Sequence, residues 1–282
     1  MNDMFTDFSI LGPALIAGIL VAISHVPLGQ QVLSRGIVFI DLAIAQVAGL
    51  GVIAAAHFDL PVTGWGAQLA AGAAALAGAI LLTWTERKRP EVQEALIGIL
   101  FVLASTAQIL LLANDPHGGE NLKDLLAGQI LWVSTGQLVR TAILTAAFAL
   151  VWFMWREKLG RIGFYVLFAL VVTASVQLVG VYLVFTTLIV PAVATYRHAK
   201  NRQLMYGYAL AIGSYVVGLA VSLITDLPSS PVIVWAMGVL GLVVHLTGRS
   251  AVHAHAHTHV HAHPTAPAEA PPRGHREAGR TA

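Results

Sequence analysis

The chain has 282 residues, of which 57% are hydrophobic and only 11% charged, with 16 Lys and Arg against 14 Asp and Glu and no cysteine. Its mean hydropathy is +0.75. A water-soluble domain of this size still exposes about a quarter of its unfolded surface, and this composition cannot cover that area with polar groups, so lipid is the expected solvent. Disulfides and thiolate metal sites are excluded by the absence of cysteine.

The opening MNDMFTDF is acidic and lacks the positive n-region of a cleavable signal peptide. The first apolar stretch therefore reads as a retained span. Crossing about 30 Å of hydrocarbon takes roughly 20 apolar residues as a helix. In chain order the predicted spans are Phe8–Val26, Gly36–His57, Gly66–Thr85, Ala95–Ala113, Leu138–Trp155, Ile162–Val190, Leu204–Thr225 and Pro231–Leu246. None shows the period-2 alternation of an outer-membrane barrel. The expected fold class is all-α: a polytopic transmembrane helix bundle of about eight spans plus a short broken or re-entrant helix.

That short helix comes from the sixth stretch, which is too long for one pass and holds two helix breakers, Gly180 and Pro191. A full helix to about Leu178 is expected, then a shorter one to about Ala194. The basic clusters bear on this choice. They fall at Arg35, at Arg87 to Arg89, at Arg156, Lys158 and Arg161, at Arg197, Lys200 and Arg202, and at Arg249. A chain that folds back near Gly180 gathers all five on one face, which the positive-inside rule makes cytoplasmic. The N-terminus is then outside and the C-terminal tail inside.

The spans carry few polar groups. Asp41 reads as the one acidic residue near the middle of a span, where a carboxylate needs a partner or a wet cavity. Pairing with Arg35 or capping a neighbouring helix is the structural alternative. Gln46 lies five residues on, about 140° around the helix. His25, His57 and His245 lie near predicted span ends and read first as interfacial anchors. His117 stands in the loop NDPHGGEN between Asp115 and Glu120, a weak divalent-cation arrangement or a solvated loop. Glycines at small-xxx-small spacing, Gly72 to Gly78 and Gly207 to Ala211, permit close helix contact. There is no Gly-x-x-x-x-Gly-Lys-Ser/Thr phosphate cradle, His-Glu-x-x-His or Gly-x-Ser-x-Gly.

Composition changes abruptly after residue 250, dividing a transmembrane domain, 1–250, from a tail, 251–282. His253, His255, His257, His259, His261 and His263 occupy every second position, followed by TAPAEAPPRGHREAGRTA. The tail is expected to be disordered. Its alternating imidazoles suit zinc, copper, nickel or cobalt without building a fixed cage.

Three stretches in this order resemble the membrane permease subunit of zinc/manganese/iron ATP-binding-cassette importers. They are Ser34–Gly51 (SRGIVFIDLAIAQVAGLG), then EALIGIL from Glu94 with LKDLLAGQILWVS from Leu122, then Val179–Ala194 (VGVYLVFTTLIVPAVA). The resemblance covers roughly residues 8–246 and implies a type II importer fold in the bacterial inner membrane. It implies a transport subunit rather than an enzyme, working as a homodimer in lipid with the pathway at the dimer interface. A periplasmic metal-binding protein would deliver the ion, and a cytoplasmic ATPase would drive alternating access. No tightly bound cofactor and no nucleic acid are implied, only the transported divalent metal, zinc ahead of manganese or iron. Members often carry a His where this chain has Gln46, and the acidic residue is shifted by one, to Asp41. Asp41 and Gln46 are the pathway candidates, and Gly180 and Pro191 mark the gate. Glu94, Glu157 and Gly160 mark ATPase coupling, in a segment (Arg156 to Gly163) shorter than in many members. The rival function is a proton-coupled secondary metal carrier with a His-rich regulatory tail. That carrier needs several acidic or His ligands at midplane depth, and this chain shows essentially one.

Deleting Val252–Pro264 should lower zinc affinity and leave helical content unchanged. Calorimetry beside circular dichroism checks both.

Overall fold

A computed structural model describes residues 2–58, 65–113, 115, 118–128, 130–155 and 158–248. Among them the chain runs α1 (Asn2–Arg35), α2 (Ile40–His57), α3 (Trp65–Lys88), a 3₁₀ turn (Pro90–Val92), α4 (Gln93–Leu112), α5 (Gly118–Ala127), a second 3₁₀ turn (Ile130–Trp132), α6 (Thr135–Trp155), α7 (Gly160–Val179), α8 (Val181–Thr195), α9 (Lys200–Thr225) and α10 (Ser229–Thr247). Among the described residues, eight helices are long and apolar enough to cross a membrane, and α8 is a shorter apolar helix. Helices are the required answer in lipid, because each satisfies its own backbone polar groups.

The sixth apolar stretch breaks at Gly180, which caps both α7 and α8 at φ 84°. The break is held by a second glycine, Gly128, at φ 68°. The two backbones cross in direct contact. A Cβ on Gly180 would lie 2.6 Å from the Ala127 carbonyl carbon, and one on Gly128 would overlap the Val179 carbonyl. Two left-handed backbones without side chains are therefore needed at one point.

Pro191, one of the two breakers, does not interrupt the short helix, which ends close to the expected Ala194. α8 continues through it to Thr195, whose hydroxyl donates to the Pro191 carbonyl at 2.7 Å. α1 does depart from expectation, running through Pro27 to Arg35 instead of stopping near Val26. Proline removes the N–H that would have served the carbonyl four residues earlier. Here that carbonyl, of Ile23, accepts a hydrogen bond from Tyr208 Oη on α9 at 3.2 Å. An orphaned acceptor in hydrocarbon is satisfied across the bundle.

α7 and α8 form the centre. Phe164, Tyr165, Phe168, Val172 and Val179 of α7 are buried, as are Leu183, Val184 and Leu188 of α8. α8 packs on α1, α10 and α9, and small residues set the distances. Gly29 of α1 faces the Leu188 carbonyl, and Gly241 of α10 meets Val190. Of the small-residue runs read from the sequence, Gly78 packs on Val47 and Gly207 on Val26, whereas Gly72 faces open space. α4 and α10 turn large apolar side chains outward, Ile99, Leu103 and Leu110 on one and Trp235, Leu242 and Leu246 on the other. Such faces are stable against lipid tails or another apolar surface, not against water.

The reversal at Gly180 brings the described basic clusters to one end. There the Arg35 guanidinium stacks over the Phe164 ring, 4.1 Å from its centroid. Arg161 Nε lies 3.7 Å from Glu86 Oε1. At the opposite end Arg140 stands 5.7 Å from the centre of the Trp65 ring.

Gly180→Ala should destabilise the bundle by about 2 kcal/mol or more, from the left-handed backbone and the overlap with Gly128 together. Thermal melting in detergent measures the loss. An unchanged melting temperature contradicts the crossing.

Candidate translocation site

Asp41 lies in the first turn of α2 and not near mid-span. The depth expected from the apolar run fails because α2 starts at Ile40, after the turn at residues 36–39. Asp41 is 1% exposed, and its Oδ1 is buried without a hydrogen-bond partner among the described residues. Arg35 does not pair with it, being stacked on Phe164. The positive pole of the α2 N-terminus offers partial compensation. A buried, unpaired carboxylate is costly in a membrane helix, which makes Asp41 a candidate functional position.

Five residues further, about 7.5 Å along the helix axis, Gln46 is also buried. It meets a residue the sequence reading missed, Gln108 of α4. Gln108 Nε2 donates to both the Gln46 carbonyl at 2.9 Å and Gln46 Oε1 at 2.7 Å. Gln108 is completely buried, and its own Oε1 has no partner among the described residues. The available signal was a lone amide inside the apolar run of α4, at a position able to face Gln46. Two amides share the place where a metal-ligating histidine was looked for. Amide oxygens are harder donors than imidazole and suit oxygen-preferring ions.

His25 is likewise relocated. α1 continues ten residues beyond it, about 15 Å of rise, so this histidine is deep in the bundle and fully buried. Its Nδ1 lies 3.0 Å from the Val21 carbonyl, which can only accept, so Nδ1 carries the proton. Ser24 Oγ stands 3.0 Å from the same nitrogen. Nε2 is buried with its lone pair unpartnered among the described residues. On α8, Thr187 Oγ1 lies 2.9 Å from Tyr215 Oη of α9.

Gly180 and Pro191, the gate candidates, both fall on α8 or its cap. Of the coupling candidates, Glu94 is engaged internally: its Oε1 accepts the Phe39 N–H at 3.2 Å, tying the start of α4 to the start of α2. Neighbouring Gln93 reaches α3, its Nε2 donating to the Leu82 carbonyl at 3.0 Å. Gly160 opens α7 with φ 58° and is exposed. Glu157, His117 and His253 to His263 lie outside the described residues. His57 closes α2, and His245 Nδ1 stands 3.2 Å from the Val193 carbonyl. Among the described residues no three His, Asp or Glu side chains come together as a metal cage.

Gln108→Leu should cost about 1–3 kcal/mol, because it strands the buried Gln46 amide. The double change Gln46→Leu with Gln108→Leu should cost less than the sum of the two single changes. A double-mutant cycle of detergent unfolding measures the coupling.

Comparison with known proteins places this architecture. The family model described as the ABC 3 transport family matches residues 7–164 and 157–248. The chain is 24% identical over 249 residues to the high-affinity zinc uptake system membrane protein ZnuB of Haemophilus influenzae, covering 80% of this chain and 93% of that protein. It is 24% identical over 255 residues to a probable metal transport system membrane protein of Chlamydia muridarum, covering 82% and 86% respectively. In fold it is similar to PsaBC from Streptococcus pneumoniae, solved in complex with Fab, with TM-score 0.72, 21% identity and coverage of 89% of this chain and 97% of that one. A multi-pass helical bundle with a broken α7–α8 pair, matched along nearly all of its membrane region, belongs to the ABC 3 transport family, the permeases of metal ABC transporters.

Proposed function

We propose that this chain is the permease of an ATP-driven importer that carries a divalent metal, zinc ahead of manganese or iron, across the bacterial inner membrane. The observation that carries the reading is Asp41, a carboxylate buried in a membrane helix of a metal-transporter permease with no cation paired to it among the described residues. A passing divalent ion supplies the missing charge. The Gln46–Gln108 amides supply neutral oxygens further along α2. One carboxylate followed by amides binds weakly, and conduction requires release as much as capture.

Zinc is favoured by the name of the Haemophilus relative and by the alternating histidines of the tail. Two copies of the chain form the conduit in lipid, and a metal-binding protein on the outer side delivers the ion. A separate ATPase docks at the end that carries the basic clusters. The positive-inside rule makes that end cytoplasmic, with the N-terminus outside and the tail inside. The surface at that end includes Gly160, and Glu157, read from the sequence alone, is a further coupling candidate. Glu94 acts there by holding the α2 and α4 starts together. ATP-driven closure favours one bundle state over the other, and α8, hinged at Gly180, is the element that changes.

Asp41→Asn should lower ATP-dependent zinc uptake about tenfold, equivalent to ~1.4 kcal/mol on the barrier, with the dimer intact on size-exclusion chromatography. Proteoliposomes holding the permease, its ATPase and its metal-binding protein provide the measurement. Uptake that continues without the ATPase would instead identify a secondary carrier.

A further inference from the structure

The outer ends of α2 and α4 line an open cavity of about 470 Å³ that, among the described residues, holds two side chains able to ligate a metal, His57 and Asp115. The rest of its wall is apolar, from residues such as Val52, Ile53 and Leu111. The His57 ring is set edge-on against Phe58, with centroids 5.6 Å apart. His57 and Asp115 are far apart in sequence, and neither falls in the stretches that carry the family resemblance.

Leu125 of α5 lines the same cavity. It also covers Gly49 on the inner side: a Cβ there would stand 3.0 Å from both Leu125 methyls and 3.2 Å from Gln108 Oε1. That oxygen is the buried acceptor without a partner among the described residues. One leucine therefore stands between an outer cavity bearing an imidazole and a carboxylate and the amide pair inside.

We propose that His57 and Asp115 form a loading site for a hydrated divalent cation at the outer mouth, and that Leu125 is the apolar plug between this site and Gln108. The proposal rests on the reading of the chain as a metal permease. Imidazole nitrogen and carboxylate oxygen are both zinc ligands. One of each also accepts manganese or ferrous iron, so the site admits the class of ion without selecting strongly within it. With two protein ligands the ion keeps several waters and can be passed on. When Leu125 withdraws, the next oxygen available is that of Gln108, adjacent to Gln46. An apolar constriction of this kind closes by excluding water.

The absence of cysteine allows a direct test that the histidine-rich tail does not disturb. In the His57→Cys variant of the full chain, assembled with its ATPase in nanodiscs, the introduced thiol is the permease's single maleimide target. Cd²⁺ should protect it. Adding Asp115→Asn should raise the Cd²⁺ concentration for half-protection about tenfold. Asp115→Glu should restore protection, and Asp226→Asn, at the exposed α9–α10 turn, should leave it unchanged. Coincident protection curves for Asp115→Asn and Asp226→Asn overturn the loading site. For the plug, Leu125→Ala should raise ATP-independent Mn²⁺ leak through proteoliposomes about threefold; an unchanged leak overturns that part. If protection fails to depend on Asp115 while wild-type uptake is normal, only this inference falls. If the assembled wild-type transporter moves no metal, the functional reading falls.

Discussion

Two glycines crossing backbone to backbone decide the topology on which everything else rests. Where Gly128 meets Gly180, neither position tolerates a side chain and both require a left-handed backbone. The contact ends α7 and starts α8 at one depth, turning an over-long apolar segment into a span and a returning half-length helix. Were the segment straight, the basic clusters would be split between the two ends. The charge distribution and the helix break are thus two expressions of one constraint. It also ties the segment after α5, which carries Gly128, to the hinge of the helix expected to gate.

Hydrocarbon makes backbone accounting strict. Pro27 would leave a carbonyl unserved, and a tyrosine from a neighbouring helix serves it. Threonines and serines in α7–α10 largely return their hydroxyls to carbonyls of their own helix: Thr187 to Leu183, Thr195 to Pro191 and Ser214 to Leu210. Against that background the unpaired groups stand out. Asp41 Oδ1, Gln108 Oε1 and His25 Nε2 are among the atoms buried without partners in the described residues, as are Thr173 Oγ1 and Ser230 Oγ. Asp41 and Gln108 lie on the α2–α4 pair where the pathway is proposed.

The bundle was legible in the sequence because apolar length and breaker residues report directly on lipid-spanning helices. The family was legible in the order of three stretches. The turn at Gly180 was readable from segment length together with the charge clusters. Helix ends were less so. Pro27 looked like a stop, because a linear sequence does not reveal which distant hydroxyl makes an internal proline tolerable. The depth of Asp41 and of His25 was misplaced for the same reason, each being measured from a boundary that tertiary contacts had moved. Gln108 went unnoticed because a single amide in an apolar run acquires meaning only when its partner on another helix is known.

The tyrosine that serves the Ile23 carbonyl has a mechanical corollary. Any motion that slid α9 away from α1 would strand a bare peptide oxygen in oil, a penalty of several kcal/mol. These two helices are consequently tied to move together. The Gln108 amide ties α4 to the Gln46 carbonyl of α2 in the same way, so any relative displacement within the bundle falls most easily between these tethered pairs.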